Sequence, residues 1–233
     1  MTGPIPDNVP LRTVHSFVIR AGRMTEAQKA ARDKVWPQFG LEVADGIVRQ
    51  EQIFGRLAPL VLEIGFGMGT SLIEMAKAAP DKDFIGIEVH PPGIGNILKL
   101  VDQEQLRNLR VYQADARVVL EKCIADGSLD CLQVYFPDPW HKKRHHKRRM
   151  IQPDFINEVR SKLVAGGVIH LATDWQPYAE QMMRVLSAEP DFANIAGENC
   201  YATRHARPST KFEQRGQKLG HGVWDLLFAK TGA

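Results

Sequence analysis

The segment VLEIGFGMGT, residues 61–70, runs from an apolar stretch into a turn with glycine at 65, 67 and 69. A short apolar strand that breaks into glycines and then into a helical pattern opens a βα unit, because glycine lets the backbone turn tightly and approach a ligand. The pattern repeats downstream. Apolar runs recur at Leu60–Ile64, Phe84–Val89, Leu109–Tyr112, Cys131–Phe136 and Val168–Thr173, with helical patterns at 69–79, 93–105, 116–126, 153–165 and 176–188. Such alternation predicts right-handed βαβ crossovers and a mostly parallel sheet covered on both faces. A last run, Val223–Phe228, has no helix after it and is expected to add an antiparallel edge strand. The fold class is α/β, a doubly wound Rossmann-like sheet.

Upstream, Thr25 reads as the N-cap of a helix ending near Pro37, and residues 1–24 are punctuated by Pro and Gly apart from the strand-like Ser16–Ile19. The expected division is an N-terminal arm and helix, 1–37, followed by one domain, 38–233. With 233 residues, 44% hydrophobic and 24% charged, the composition is that of a soluble globular protein with room for a large core. No apolar run approaches the roughly 20 residues that cross a bilayer. The first 25 residues carry no charged-then-apolar leader pattern. Cys123, Cys131 and Cys200 are scattered, which indicates neither disulfides nor zinc. A cytoplasmic protein without a metal is expected; the sequence does not give its oligomeric state, and a monomer is favoured. The net charge of +3 becomes −3 once the six Lys and Arg of residues 141–149 are set aside, so a mildly acidic body carries one basic patch. That distribution suits a polyanionic partner.

Ligands of open α/β sheets sit beyond the carboxyl ends of the strands. The dinucleotide fingerprint G-x-G-x-x-G would need glycine at 70, where the chain has Thr70. Glu63, two residues before Gly65, would repel a pyrophosphate but suits a cofactor whose nearby end is an ammonium. S-adenosylmethionine has such an amino acid tail and no phosphate. Gly65, Gly67 and Gly69 are then its loop. Glu88, 23 residues after Gly65, ends the second strand where an acid accepts ribose hydroxyls, and Asp115 ends the third strand at the adenine end. Asp115 also suits a plain N-cap and Glu88 a plain strand-end acid.

The fourth strand leads into VYFPDPWHKKRHHKRRM, residues 134–150. Prolines on both sides of Asp138 restrict its backbone, so its carboxylate is held in one place near the reactive end of the cofactor. The same turn also reads as a stiff loop capped by its own acid. The basic run that follows, and a second one at 204–218 with Arg204, Arg207, Lys211, Arg215 and Lys218, are expected to contact phosphates.

These residues resemble the bacterial tRNA (guanine-N7-)-methyltransferase family. The motifs carrying the resemblance are SFVIRAGRMT (16–25), EIGFGMG (63–69), GIEVH (86–90), FPDPWHKKRHHKRR (136–149), ATDW (172–175) and TKFEQRG (210–216), and it runs from about Ser16 to the C-terminus. It implies an S-adenosylmethionine-dependent methyltransferase fold in which Glu63, Glu88, Asp115 and Asp138 contact the cofactor. It also implies that Lys142, Asp174 and Thr210-Lys211-Phe212-Glu213 bind the tRNA or its target base, a guanosine of the variable loop, and that the N-terminal arm contacts RNA.

Guanine N7 has an in-plane lone pair and no proton, so methyl transfer there needs positioning rather than a general base. A fixed carboxylate near the purine stabilises the positive charge that develops on it, and Asp138 is the candidate catalytic residue. Asp174 and Glu213 are further candidates for the guanine edge. Trp140, Trp175 and Phe212 are the candidate stacking residues. The rival readings are methylation of an exocyclic amine of a base, a small-molecule methyltransferase, and a non-catalytic RNA-binding module. Exocyclic-amine enzymes carry two prolines and an aromatic after the acid or amide, whereas Asp138-Pro139-Trp140 supplies one proline.

Overall fold

The computed structural model describes residues 22–203, 207–208, 213 and 222–232. The chain order is α1 (Glu26–Phe39), β1 (Gly40–Leu41), α2 (Gln50–Phe54), β2 (Leu60–Ile64), α3 (Thr70–Ala78), β3 (Asp83–Ile87), α4 (Pro91–Glu104) and β4 (Leu109–Tyr112). It continues with α5 (Ala116–Cys123), β5 (Leu129–Tyr135), α6 (Pro153–Lys162), β6 (Leu163–Thr173), α7 (Gln176–Ser187), β7 (Phe192–Asn194) and β8 (Trp224–Lys230). Short 3-10 turns lie at Val43–Asp45 and Lys143–Arg148. The expectations for Ser16–Ile19, Arg204, Thr210, Lys211, Phe212, Arg215 and Lys218 fall outside the described residues.

The strands form one sheet in the order β1-β4-β3-β2-β5-β6-β8-β7. β1 to β6 are mutually parallel, and β8 runs antiparallel to both β6 and β7. Strand order reverses between β2 and β5, which puts the switch point beside the glycine loop. The C-terminal antiparallel strand is present, and three-residue β7 outside it makes the sheet edge.

Side-chain alternation along the strands divides the core in two. Leu62, Ile64, Ile85, Ile87, Leu132 and Val134 face one way, packing with Phe155 and Val159 of α6 and Tyr178 and Met182 of α7. Val61, Phe84, Leu109 and Val111 face the other, against Leu72 of α3, Ile97 and Leu98 of α4 and Val35 of α1. Each fully buried Leu or Ile contributes about 1.5–3 kcal/mol. On this second face the neighbouring strands β5, β6 and β8 are polar instead: Gln133, His170 and Asp225 are all buried.

Local details follow from specific residues. Thr25 and Gln28 form the capping box of α1, each side chain accepting the other's backbone N–H. The helix passes Pro37 and ends at Phe39, because a proline in the last turn removes only one intrahelical bond. Gly95 lets α1 dock on α4, since a Cβ there would come within 2.7 Å of the Gln28 Cβ. β6 starts at Leu163, five residues before the expected Val168. Gly166 and Gly167 form an irregularity inside the strand, where the register shifts against β5. Among the described residues no helix is long and apolar enough to cross a membrane.

Candidate active site

The glycine loop joins β2 to α3. Gly65, Gly67 and Gly69 have φ of +76°, +59° and +76°, the left-handed region that disfavours every other L-residue. The loop lies tightly on the start of α4, because a Cβ on Gly93 would stand 2.1 Å from the Gly67 carbonyl oxygen. Glu88, just past β3, braces it from the side. Its Oε2 accepts the Gly67 N–H at 2.8 Å, and its Oε1 accepts those of Val89 and His90 at 2.7 and 3.0 Å. Three of the four or so acceptor positions of this carboxylate are therefore used on backbone.

Glu63 is different. It faces the polar side of the sheet, is only 3% exposed, and its Oε2 has no hydrogen-bond partner among the described residues. Burial, reinforced by the negative charge of Glu88, pushes its carboxyl up to about 8. A buried acid with an unused oxygen at the mouth of a glycine loop is short of one polar partner, which a donor or cation could supply.

Asp115 N-caps α5, accepting the Arg117 N–H at 2.9 Å, at the carboxyl end of β4. The capping reading therefore holds, and a ligand contact would be additional to it. Asp138 lies exposed in the turn after β5. Phe136 and Trp140, on either side of the Pro137-Asp138-Pro139 tripeptide, have φ of +52° and +46°. Left-handed backbone costs a non-glycine residue about 1–2 kcal/mol, and such strain collects where geometry serves function. The Phe136 N–H is tied to the Ala172 carbonyl at 2.8 Å, fixing the turn to β6. Asp174 follows β6, half-buried, so the acids at the ends of β2, β3, β4, β5 and β6 line one edge of the sheet.

The basic run folds into the 3-10 turn Lys143–Arg148 and does not act as one uniform patch. Lys142, Lys143, Arg144 and Lys147 are exposed. Arg148 lies over the Trp140 ring at 3.9 Å, which covers one face of that stacking candidate. Arg149, expected to contact phosphate, is turned inward. It donates to the Pro139 carbonyl at 2.8 Å, bonds to Gln181 of α7, and stacks 4.7 Å from the Tyr178 ring. Its role is to pin the turn carrying Asp138 onto α7. Trp175 is half-buried with its ring edge-on to His141 at 4.4 Å.

Arg207 corrects a second expectation. It is buried, because two carboxylates and the rings of Tyr135 and Phe136 close around it, and no phosphate can reach it there. Its Nε and Nη2 donate to Asp225 of β8 at 2.7 and 2.9 Å, and its Nη1 donates to Glu213 at 2.7 Å. Asp225 also meets His170 Nε2 at 2.9 Å, and the other ring nitrogen of His170 meets the Tyr135 hydroxyl at 2.9 Å. Burial opposes the charge on Asp225, but the bonds from His170 and Arg207 outweigh it and hold its carboxyl below the usual range. Glu213, implied as a substrate contact, is fully buried in this network. Tyr135, His170 and Asp225 were missed in the sequence. Polar residues at alternate positions of otherwise apolar strands, as in VIHLAT and VWDLLF, were the signal available. Among the described residues, no group of three or more His, Cys, Asp or Glu is arranged to hold a metal ion.

The chain matches a family profile described as "Putative methyltransferase" over residues 57–226. It is 58% identical over 221 residues to the tRNA (guanine-N(7)-)-methyltransferase of Saccharophagus degradans, covering 94% of this chain and 96% of that one. The tRNA (guanine-N(7)-)-methyltransferase of Alcanivorax borkumensis is 58% identical over 221 residues, covering 94% and 92%. Among solved structures, the 16S rRNA methyltransferase KamB aligns with a TM-score of 0.58 at 16% identity, covering 78% of this chain and 92% of that one. At that identity the likeness shows the fold alone.

Proposed function

The chain belongs to the bacterial tRNA (guanine-N(7)-)-methyltransferase family, and from that premise we propose that it transfers the methyl group of S-adenosylmethionine to N7 of a guanosine in the variable loop of tRNA, in the cytoplasm. When bound, this cofactor supplies a methyl group activated by its sulfonium. The residues at the strand ends fit it. Buried Glu63, with its unpartnered oxygen, matches the ammonium of the amino acid tail. Gly65 and Gly67 leave room beside it, Gly69 packs the loop on Ile97 of α4, Glu88 has one acceptor position left for the ribose, and Asp115 stands at the adenine end.

Asp138 supplies the catalytic step. N7 has no proton to remove, so the protein has to hold the base in line and stabilise the charge that arrives on it. A carboxylate fixed between two prolines and two left-handed residues does this without reorganising. Asp174, one strand over, is suited to the guanine N1 or N2 edge. Lys142 and its exposed neighbours Lys143, Arg144 and Lys147 hold phosphates close to Asp138, and Thr210, Lys211 and Phe212 complete the substrate contacts, while buried Glu213 acts from behind them through Arg207.

The observation that carries this reading is Glu63: a buried acid at a glycine loop, with one oxygen lacking a partner among the described residues, suits an ammonium. Incubating the protein with methyl-labelled S-adenosylmethionine and tRNA lacking the modification tests it. Label should appear in tRNA with the wild type and be strongly reduced with Asp138→Asn. Cofactor binding without any label in tRNA would refute the substrate.

A further inference from the structure

We propose that Arg207 is a positioning residue for methyl transfer, a buried strut that holds the turn bearing Asp138 in its strained conformation. This inference rests on the methyltransferase reading of that turn. The guanidinium carbon lies 5.4 Å from the centre of the Tyr135 ring and 5.3 Å from that of Phe136, the last residue of β5 and the first beyond it. Phe136 is the residue held at φ +52°, and it opens the Pro137-Asp138-Pro139 turn. A cation packed against its ring restrains the side chain whose backbone would otherwise relax out of the left-handed region.

The strut is itself fixed. Asp225 holds the guanidinium through two parallel bonds at 2.7 and 2.9 Å, a geometry that sets its plane as well as its place. Glu213 takes Nη1 at 2.7 Å. Behind Asp225, His170 and Tyr135 extend the chain of contacts back to β5, so both ends of the network meet at the start of the turn. With Asp225 held ionised, His170 donates to it from Nε2, and its Nδ1 meets the Tyr135 hydroxyl. Every polar contact in this cluster is directed, and all of its members are buried.

A buried charge cluster is a poor way to gain stability, because an apolar substitute of the same volume serves as well or better. What it provides is a unique geometry. Here that geometry ends on Phe136 on one side and on buried Glu213 on the other. The Arg207 side chain is closed in by its own partners, so its effect passes through the residues it braces.

The test is Arg207→Lys, which keeps the charge and loses the planar fork. Two readouts separate positioning from mere folding. In hydrogen exchange, the amides of Phe136, Asp138 and Trp140 should exchange roughly tenfold faster while those of β2 and β3 stay unchanged. In single-turnover methyl transfer, the rate should fall roughly 30- to 100-fold, the scale of a misplacement near 1 Å, with affinities for tRNA and S-adenosylhomocysteine within about threefold of wild type. Unchanged exchange in the turn overturns the proposal, and so does exchange accelerated uniformly across the sheet. A rate that is unchanged, or that falls only in step with the affinities, overturns it too. If the wild type itself left tRNA unmethylated, the functional reading would fail and the exchange result would still decide on the strut. Should Arg207→Lys not fold, Asp225→Asn removes the same two-point anchor at constant volume and is read by the same outcomes.

Discussion

Cofactor binding should release a proton, and the proton comes from Glu63. This carboxyl is 3% exposed and pushed up to about 8 by burial and by Glu88. At pH 7 it is therefore roughly nine-tenths protonated in the free protein. An ammonium placed against it favours the ionised form, so binding should drive off about 0.9 proton per site at pH 7 and only about 0.2–0.3 at pH 8.5. Titration calorimetry with S-adenosylhomocysteine in phosphate and in Tris reads this number directly, since the two buffers differ in ionisation enthalpy. Glu63→Gln should abolish the buffer dependence and weaken binding about 10- to 100-fold, the loss of one charge-assisted bond of about 1.5–3 kcal/mol. The free protein carries the matching signature. A carboxyl raised in the folded state binds more protons there than in the unfolded chain, so stability is full below about pH 4.5 and falls as pH rises toward 8. Glu63→Gln should escape that loss and be more stable than wild type at pH 7, by up to about 3 kcal/mol at roughly 1.4 kcal/mol per pH unit. Equal heats in both buffers at pH 7, together with parallel stability curves, would refute the reasoning.

Asp138→Asn should lower the single-turnover rate by about 10²–10³ with little change in cofactor affinity, as expected for the loss of one fixed electrostatic stabiliser. Full turnover in that variant would remove Asp138 from the catalytic role. Binding of tRNA should weaken steeply with salt, and neutralising Lys142, Lys143, Arg144 and Lys147 together should flatten the log–log slope by about 3. By contrast, Arg149→Gln should lower the melting temperature and leave that slope nearly as it was, because Arg149 is spent on Pro139, Gln181 and Tyr178. Gly93→Ala should cost cofactor affinity well beyond its effect on folding, since its Cβ would meet the Gly67 carbonyl at 2.1 Å. Calorimetry at matched folded fractions checks this.

The sheet was legible in the sequence because five apolar runs alternate with amphipathic stretches, and such runs have few other ways to bury themselves. The glycine loop and the acids at the strand ends were legible for a similar reason: position along a βα unit fixes position at the sheet's edge. What escaped depends on long-range partners. Arg207 and Arg149 sit in basic runs, and composition alone suggested phosphate contacts for both. Each is instead buried by residues far away in the chain, Asp225 for one and Gln181 for the other. β7 is three residues long and exists only because β8 offers it an edge. The extension of β6 back to Leu163 was hidden because Gly166 and Gly167 look like a loop, although the backbone carries on through them. Positive φ at Phe136 and Trp140 has no signature in the residue types, since bulky side chains disfavour it.

The most direct test of the central claim is to identify the methylated atom. After incubation of the protein with S-adenosylmethionine and unmodified tRNA, nucleoside mass spectrometry should find 7-methylguanosine, and digestion mapping should place it in the variable loop. Methyl on an exocyclic nitrogen, or on a small molecule with tRNA untouched, would contradict the account.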